Sequence, residues 1–458
     1  MKVLLCSSEI VPFAKTGGLA DVAGALPLAL EELGVEVRVA MPKYKTIKNA
    51  TPKLGKNILV YFIENEKYFN RDNLYGEKTG DYPDNLERFA FYSQKTMELL
   101  KDEDFQPDII HCNDWQSALI PIYLKNLYQD DPFYKNTKTV LTIHNLAYQG
   151  LFPKEQFPKS GLPLELFNIE ALEFYDKVCL LKGGIVFSDL ITTVSPTYAQ
   201  EIQTKEFGCG LEGILRKKTQ NLFGILNGLD YKIWDPATDK LIFKAYDPFT
   251  IQDKAINKTG LQQACKLKPD ASIPLFGIVS RLAEQKGFDL LAGIINDLCH
   301  LPIQIVILGT GDQKYHDLLG KFAKKYPGHL SLQLRFDDPL AHQIYSGSDF
   351  FLMPSKYEPC GLGQMISLKY GTIPVVFKTG GLADTIVDLD SKTKKGNGFV
   401  FDNYSPQALL EVIKRSIAIF KKKEIWSGLI KSATTYDFSW EAAARKYIAL
   451  YKGLLNKK

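Results

Sequence analysis

The heptapeptide Lys-Thr-Gly-Gly-Leu-Ala-Asp occurs twice in the chain, at Lys15–Asp21 and at Lys378–Asp384. Each copy follows a β-branched run, KVLLCSSE before the first and TIPVVF before the second, and each opens a stretch with helical apolar periodicity. The chain therefore twice writes strand, Lys-x-Gly-Gly loop, helix start. Such a corner aims free backbone N–H groups and the positive end of a helix dipole at one point, which suits an anion. Two copies, one in each half, point to a phosphate-bearing ligand held in a cleft between two domains. The plainer alternative is that Gly-Gly only lets a strand turn tightly into a helix. That alternative accounts for one copy as well as the anion reading does, but not for the repeated Lys and Asp.

The 458 residues are enough for two or three separate cores. Runs such as KVLLCSSE, VEVRVAMP, DIIHCND, KTVLTIHN, LITTVSP and LFGILNG read as strands of one half. LFGIVSR, IQIVILGTGD, FFLMPSKYE and TIPVVFKTGG read as strands of the other. Helical patterns such as LADVAGALPLALEEL, FDLLAGIINDL and PQALLEVIKRSIAIF lie between them. This alternation predicts α/β domains, parallel sheets covered by helices, with functional loops at the carboxyl ends of the strands. The weakly periodic stretch from Gly228 to about Asp253 is the expected boundary, and Phe438–Leu455 reads as one last helix.

Composition removes several classes of function. A net charge of +4, with no basic block interleaved with aromatics, disfavours nucleic acid, and the KKK at Lys421–Lys423 reads as solvated surface. Seven scattered cysteines, never in CxxC, indicate reduced thiols and neither a disulfide framework nor a zinc site. None of the six histidines is spaced as a metal pair on a helix. The apolar start at residues 2–6 ends at Ser7, too early for a signal segment, and no apolar run is long enough to span a membrane. A soluble, cytoplasmic protein is the expectation.

Polar residues collect just after the apolar runs. Arg281 and Lys286 in VSRLAEQKG suit a diphosphate, the Arg as a fork and the Lys as a point charge. His144 ends TVLTIHN, Asp114 ends IIHCND, and Glu358 sits in PSKYEPCGLGQ before a run that opens another helix. Asp388 and Asp390 could suggest a metal, but they trail a short helix in an ion-rich loop and are set aside. Gly309–Asp312 reads as a strand-end turn and not as a separate phosphate site.

In order along the chain, SSEIVPFAKTGGLADV, YFNRDNLYG, HCNDW, TIHNLAYQG, ILNGLD, VSRLAEQKG, PSKYEPCGLGQ, KTGGLADT and FSWE resemble the bacterial glycogen synthase and plant starch synthase family. These are retaining glycosyltransferases, and the resemblance spans residues 7 to 441. It implies the GT-B arrangement: two Rossmann-like parallel-sheet domains facing across a deep cleft, with the last helix packing back on the first domain. The expected limits are 1–235 for the acceptor domain, 236–437 for the nucleotide-sugar domain and 438–458 for the returning helix.

The resemblance also implies site residues. The catalytic set would be Glu358, His144, Asp114, Arg281 and Lys286. Arg281 and Lys286 would hold the donor diphosphate, and Glu358 would hydrogen-bond the transferred glucose. Lys15, Gly17, Gly18 and Asp21 would form the first donor loop, and Tyr75, Asn227 and Gly228 would belong to the sugar and acceptor side. Phe336 would flank the adenine ring. Cys360, Gly361, Leu362 and Gly363, with Thr379, Gly380 and Gly381, would complete the donor loops, Cys360 mainly as a small residue packed under the turn. The implied donor is ADP-glucose, the acceptor an α-1,4-glucan, and no metal or other cofactor is required. Gly363 stands where Thr is frequent, Gln116 where His is often seen and Lys378 where Arg is common. Ile366 replaces the second glutamate of sucrose-type relatives. The alternatives are another GT-B transferase, using UDP-glucose or a different acceptor, and a catalytically silent glucan-binding homologue.

Overall fold

A strand buried on both faces is predominantly apolar along its length, and the runs named above become such strands. A computed structural model describes residues 1–48, 51–77 and 79–456. The chain forms two compact units, Met1–Gly228 with Trp440–Lys458, and Leu229–Ser439.

The first unit is built on an eight-stranded sheet. Its spatial order is Leu222–Gly224, Leu190–Thr193, Lys138–Ile143, Ile109–Asn113, Lys2–Cys6, Glu36–Pro42, Ile58–Ile63 and Lys53–Leu54. All neighbours are parallel except the last pair. The second unit carries a six-stranded, fully parallel sheet. Its order is Leu330–Gln333, Gln304–Leu308, Leu275–Val279, Phe350–Met353, Ile373–Phe377 and Phe399–Phe401. Both units thus have the Rossmann-like α/β architecture expected from the alternation of runs. Four strands of these two sheets fall outside the runs named above: Lys53–Leu54, Ile58–Ile63, Leu330–Gln333 and Phe399–Phe401.

Strand order decides where a site can form. In the first sheet, Lys2–Cys6 has its sequence successor Glu36–Pro42 on one side and the later strand Ile109–Asn113 on the other. In the second, Leu275–Val279 has Gln304–Leu308 on one side and Phe350–Met353 on the other. At such a reversal the loops leaving the two central strands diverge and open a crevice at the carboxyl edge. Glu9, Lys15 and Asp114 leave the first reversal, and Arg281, Lys286 and Glu358 leave the second.

The units change over at Gly228 and Trp440, against expected limits near 235 and 437. The cause is a buried anchor in the second unit. Asp239 accepts from His342 Nδ1 at 2.7 Å and from the Tyr370 hydroxyl at 2.6 Å, and Trp234 stacks on the His342 ring at 4.0 Å. These contacts tie the segment after Gly228 to helices Asp338–Gly347 and Gly363–Lys369.

The last helix, Trp440–Leu455, returns to the first unit as expected and packs on helix Gly18–Glu32. Lys457 and Lys458 of the expected terminal segment lie outside the described residues. The Tyr451 hydroxyl meets Nδ1 of the fully buried His111 at 2.6 Å, and Thr142 Oγ1 holds Nε2 at 2.5 Å. Burial pushes this imidazole down to about 3, so it is a neutral core group. Replacing Tyr451 with Phe strands one buried ring nitrogen and should cost about 1–3 kcal/mol. An unchanged unfolding midpoint in urea would show that the bond contributes nothing.

Candidate active site

In the first unit the loop after Lys2–Cys6 folds around a buried carboxylate that sequence reasoning missed. Glu9 is 3% exposed. Its Oε2 accepts from the Thr16 N–H and, at 3.2 Å, from the Gly17 N–H. Its Oε1 accepts from the Thr16 hydroxyl at 2.6 Å and from the Tyr75 hydroxyl at 2.6 Å. The corner predicted to attract an external anion is therefore partly filled by the chain's own. Gly17 caps helix Gly18–Glu32 with no side-chain hydrogen bond of its own. Lys15, exposed, pairs with Asp21 at 2.7 Å. Lys15, Thr16, Tyr75, Phe13 and Asn73 line a cavity of about 520 Å³.

The next strand tip supplies Asp114 and His144. Asp114 has a positive φ of 53°, a conformation L residues rarely adopt, and its Oδ1 accepts from the His144 backbone N–H at 2.8 Å. Burial pushes its carboxyl up to about 7, backbone hydrogen bonds oppose the rise, and the Glu9 charge adds to it. His144 Nε2 lies 2.9 Å from Asn113 Oδ1, while the Asn113 amide donates to the Cys6 carbonyl at 3.0 Å. That second bond fixes the amide orientation, so Nε2 carries the proton and Nδ1 is a free lone pair in the neutral ring. Burial pushes His144 down to about 4, which keeps it neutral near pH 7. Asn227 is buried, and its Oδ1 has no hydrogen-bond partner among the described residues. Gly228 is there for packing, since a Cβ would sit 2.5 Å from Trp440 Cα.

In the second unit, Ser280, Arg281, Lys286, Tyr345, Glu358 and Gly363 are among the residues around a cavity of about 210 Å³, with Gly361 and Leu362 also in its wall. Lys286 Nζ pairs with Glu358 Oε2 at 2.7 Å, and the Ser355 hydroxyl donates to the same oxygen at 3.0 Å. Their closeness has a backbone cause. Gly287, at φ 78°, lets the Lys286 loop pass so near the Glu358 loop that a Cβ would lie 2.1 Å from the Pro354 carbonyl oxygen. Arg281 is exposed, and its guanidinium donates to Gln285 Oε1 at 3.3 Å. The Gly309–Asp312 turn braces this loop, as the strand-end reading expects, through Leu282 N–H to Thr310 O and Asp312 N–H to Leu282 O. Gly363 replaces the frequent Thr for a steric reason: a Cβ would come within 2.8 Å of the Phe351 ring.

The two identical heptapeptides do different work. At Gly17 and Gly18 a Cβ would meet nothing within 4 Å. At Gly380 and Gly381 it would lie 2.0 Å from the Glu358 carbonyl oxygen and 1.9 Å from that of Cys360. The Gly381 N–H donates to the carbonyls of Glu358 and Pro359. That amide is not free for an anion, which corrects the expectation for the second copy. There the glycines pack the Glu358 loop, and Thr379 and Cys360 are buried with it. Phe336 does not line the cavity and is 93% exposed on the loop after Leu330–Gln333. Asp388 takes the Arg415 fork at 2.6 and 2.7 Å, and Asp390 accepts from the Lys392 N–H, so both are structural. Among the described residues no three His, Cys, Asp or Glu side chains converge as a metal site, and no helix is long and apolar enough to cross a membrane.

The known proteins that this chain resembles share both halves. Residues 2–217 match the family of starch synthase catalytic domains, and residues 265–427 match glycosyl transferases group 1. A glycogen synthase of Geotalea uraniireducens (strain Rf4) is 49% identical, with all of both chains covered. The chain belongs to the glycogen synthase family. A second such synthase, from Fervidobacterium nodosum, is 46% identical over 100% of this chain and 99% of its own. The catalytic domain of starch synthase IV from Arabidopsis thaliana, solved with ADP and acarbose, is 33% identical. It matches with a TM-score of 0.87 over 100% of this chain and 99% of its own. A sucrose-phosphate synthase from Thermosynechococcus elongatus, 17% identical with a TM-score of 0.64, shares the fold. The glycogen synthase family and the GT-B class expected from the ordered motifs are thereby established, and with them a glycosyltransferase.

Two outcomes follow for this family member. Gly381→Ala should destabilise the second unit by about 1–3 kcal/mol through overpacking, whereas Gly17→Ala should be sterically silent; equal effects on the unfolding midpoints would contradict the contrast. Asp114 holds its proton more tightly folded than unfolded, so it contributes stability at low pH that is lost as pH rises through about 7. The midpoint of Asp114→Asn relative to the native chain should therefore climb between about pH 4 and pH 7, and a flat difference would refute the raised ionisation.

Proposed function

We propose that the protein is a glycogen synthase that transfers glucose from ADP-glucose to the non-reducing end of an α-1,4-glucan with retention of configuration. The observation that carries the reading is the Lys286–Glu358 pair with Arg281 around one small cavity at the reversal of the second sheet. Support for the donor comes from the full-length likeness to a starch synthase that holds ADP.

Glucosyl transfer passes through an oxocarbenium-like state while negative charge builds on the departing diphosphate. Arg281 and Lys286 are assigned to that charge, Arg as the fork and Lys as the point charge. As the diphosphate draws the Lys286 ammonium, Glu358 gives up its partner and is released toward the glucose. Glu358 acts by position and charge, and the leaving phosphate takes the acceptor proton on the same face. Preorganised charge of this kind is worth about 10²–10³ in rate for each donor removed. Lys15 is assigned to the donor as well. Asp114 and neutral His144, with the unpaired Oδ1 of Asn227, are assigned to the sugar and acceptor. No metal is needed in this scheme, because the cations carry the charge.

The test is incorporation of labelled glucose into glycogen from ADP-glucose or UDP-glucose, with EDTA present. Incorporation from ADP-glucose is expected, and Lys286→Ala should lower kcat about 10²–10³-fold in a chain that still unfolds cooperatively. Incorporation from UDP-glucose alone would overturn the donor assignment. Loss of activity restored by Mg²⁺ would overturn the metal-free scheme.

A further inference from the structure

Glu9 lies outside the cavity of about 520 Å³ in the first unit, yet two residues that line it, Thr16 and Tyr75, both end on its carboxylate. The Tyr75 hydroxyl is also within 2.7 Å of Ser8 Oγ. One oxygen of Glu9 gathers two hydroxyls and the other gathers two backbone N–H groups, so one anion holds four donors from two separate segments. Such charge-assisted bonds are about twice as strong as neutral ones. The carboxylate also sits at the positive end of helix Gly18–Glu32, where a negative charge is favoured.

We propose that Glu9 is the positioning residue of the first unit, the internal anion that locks the Lys15–Gly18 loop and Tyr75 into one rigid body. Two consequences follow from the geometry. The N–H groups of Thr16 and Gly17 are spent on Glu9, so substrate meets the first heptapeptide through Lys15 and the later amides at Gly18 and Leu19. In addition, Lys15 leaves the chain directly beside the clamped residue Thr16, so loosening the clamp disperses the Lys15 ammonium while its charge stays. The effect of Glu9 is therefore felt in binding of whatever Lys15 contacts. The inference rests on the assignment of Lys15 to the nucleotide-sugar donor made above.

The experiment compares Glu9→Ala, Glu9→Gln, Tyr75→Phe and Glu9→Ala/Tyr75→Phe by steady-state kinetics on the full chain, varying donor and glycogen separately. Native activity on ADP-glucose is the control, and its failure would count against the functional reading and not against Glu9. With the control active, Glu9→Ala should raise the donor KM at least tenfold and the glycogen KM by clearly less. Glu9→Gln keeps the shape and the acceptor oxygen for the two amides, so it should recover most of that loss. The double variant should be no worse than Glu9→Ala, because residues acting as one unit are not additive. If Glu9→Ala does not fold, Thr16→Val, which deletes one donor to the same carboxylate, should raise the donor KM in the same direction. An unchanged donor KM, an equal rise for both substrates, or additive single effects would overturn the proposal.

Discussion

Everything functional in this chain hangs on two places where a parallel sheet reverses its order of growth. Parallel strands need long crossovers, and a sheet that grows first to one side and then to the other must send two neighbouring loops apart. In the first unit those loops leave Lys2–Cys6 and Ile109–Asn113, and in the second they leave Leu275–Val279 and Phe350–Met353. These strands are mostly apolar and buried on both faces, and their burial fixes the backbone from which the polar tips emerge. Asp114, Glu9 and Glu358 are each less than a tenth exposed, and each accepts a hydrogen bond from a neighbouring loop or side chain.

The charges at these tips are organised by short-range pairing, with little help from the net charge of +4. Lys286 and Glu358 neutralise one another at 2.7 Å, and Glu9 neutralises the amide end of a helix. A buried charge without a partner would be far costlier than these pairs. In the proposed scheme a diphosphate entering beside Lys286 would compete with Glu358 for the same ammonium, so the structural tie would also be a reserve of charge. Arg281 lies against the neutral amide of Gln285 and would exchange that contact for the ligand.

Much of this was legible in the residues themselves. Ten apolar runs became strands, the three helical patterns became helices, and the polar tips Asp114, His144, Arg281, Lys286 and Glu358 fell at carboxyl ends. What escaped has physical reasons. Ile58–Ile63 lies toward an edge of its sheet, and Phe399–Phe401 is an edge strand too short to show alternation. Glu9 was invisible because nothing in SSEIVPF marks a carboxylate that turns inward; its role exists only once the loop has closed over it. The unit limits differ because Trp234, in a stretch that reads as linker, stacks on His342, and Asp235 pairs with Lys369. Phe336, expected beside a ligand from the family pattern, is 93% exposed on the loop after Leu330–Gln333.

The duplicated heptapeptide shows why a motif is not yet a function. Both copies form a strand, a turn and a helix start, so the local code was read correctly. Their surroundings then divide them. Around Gly17 and Gly18 there is open space, a cavity and a buried carboxylate that consumes two amides. Around Gly380 and Gly381 there is the backbone of Glu358 and Cys360, so close that only glycine fits. In the first copy glycine borders open space, and in the second it leaves room for the loop that carries Glu358. One sequence therefore turns the chain in open surroundings at one place and packs against a loop at the other. The difference is written in the residues that fold against it, Glu9 and Tyr75 in one case and Glu358 to Cys360 in the other.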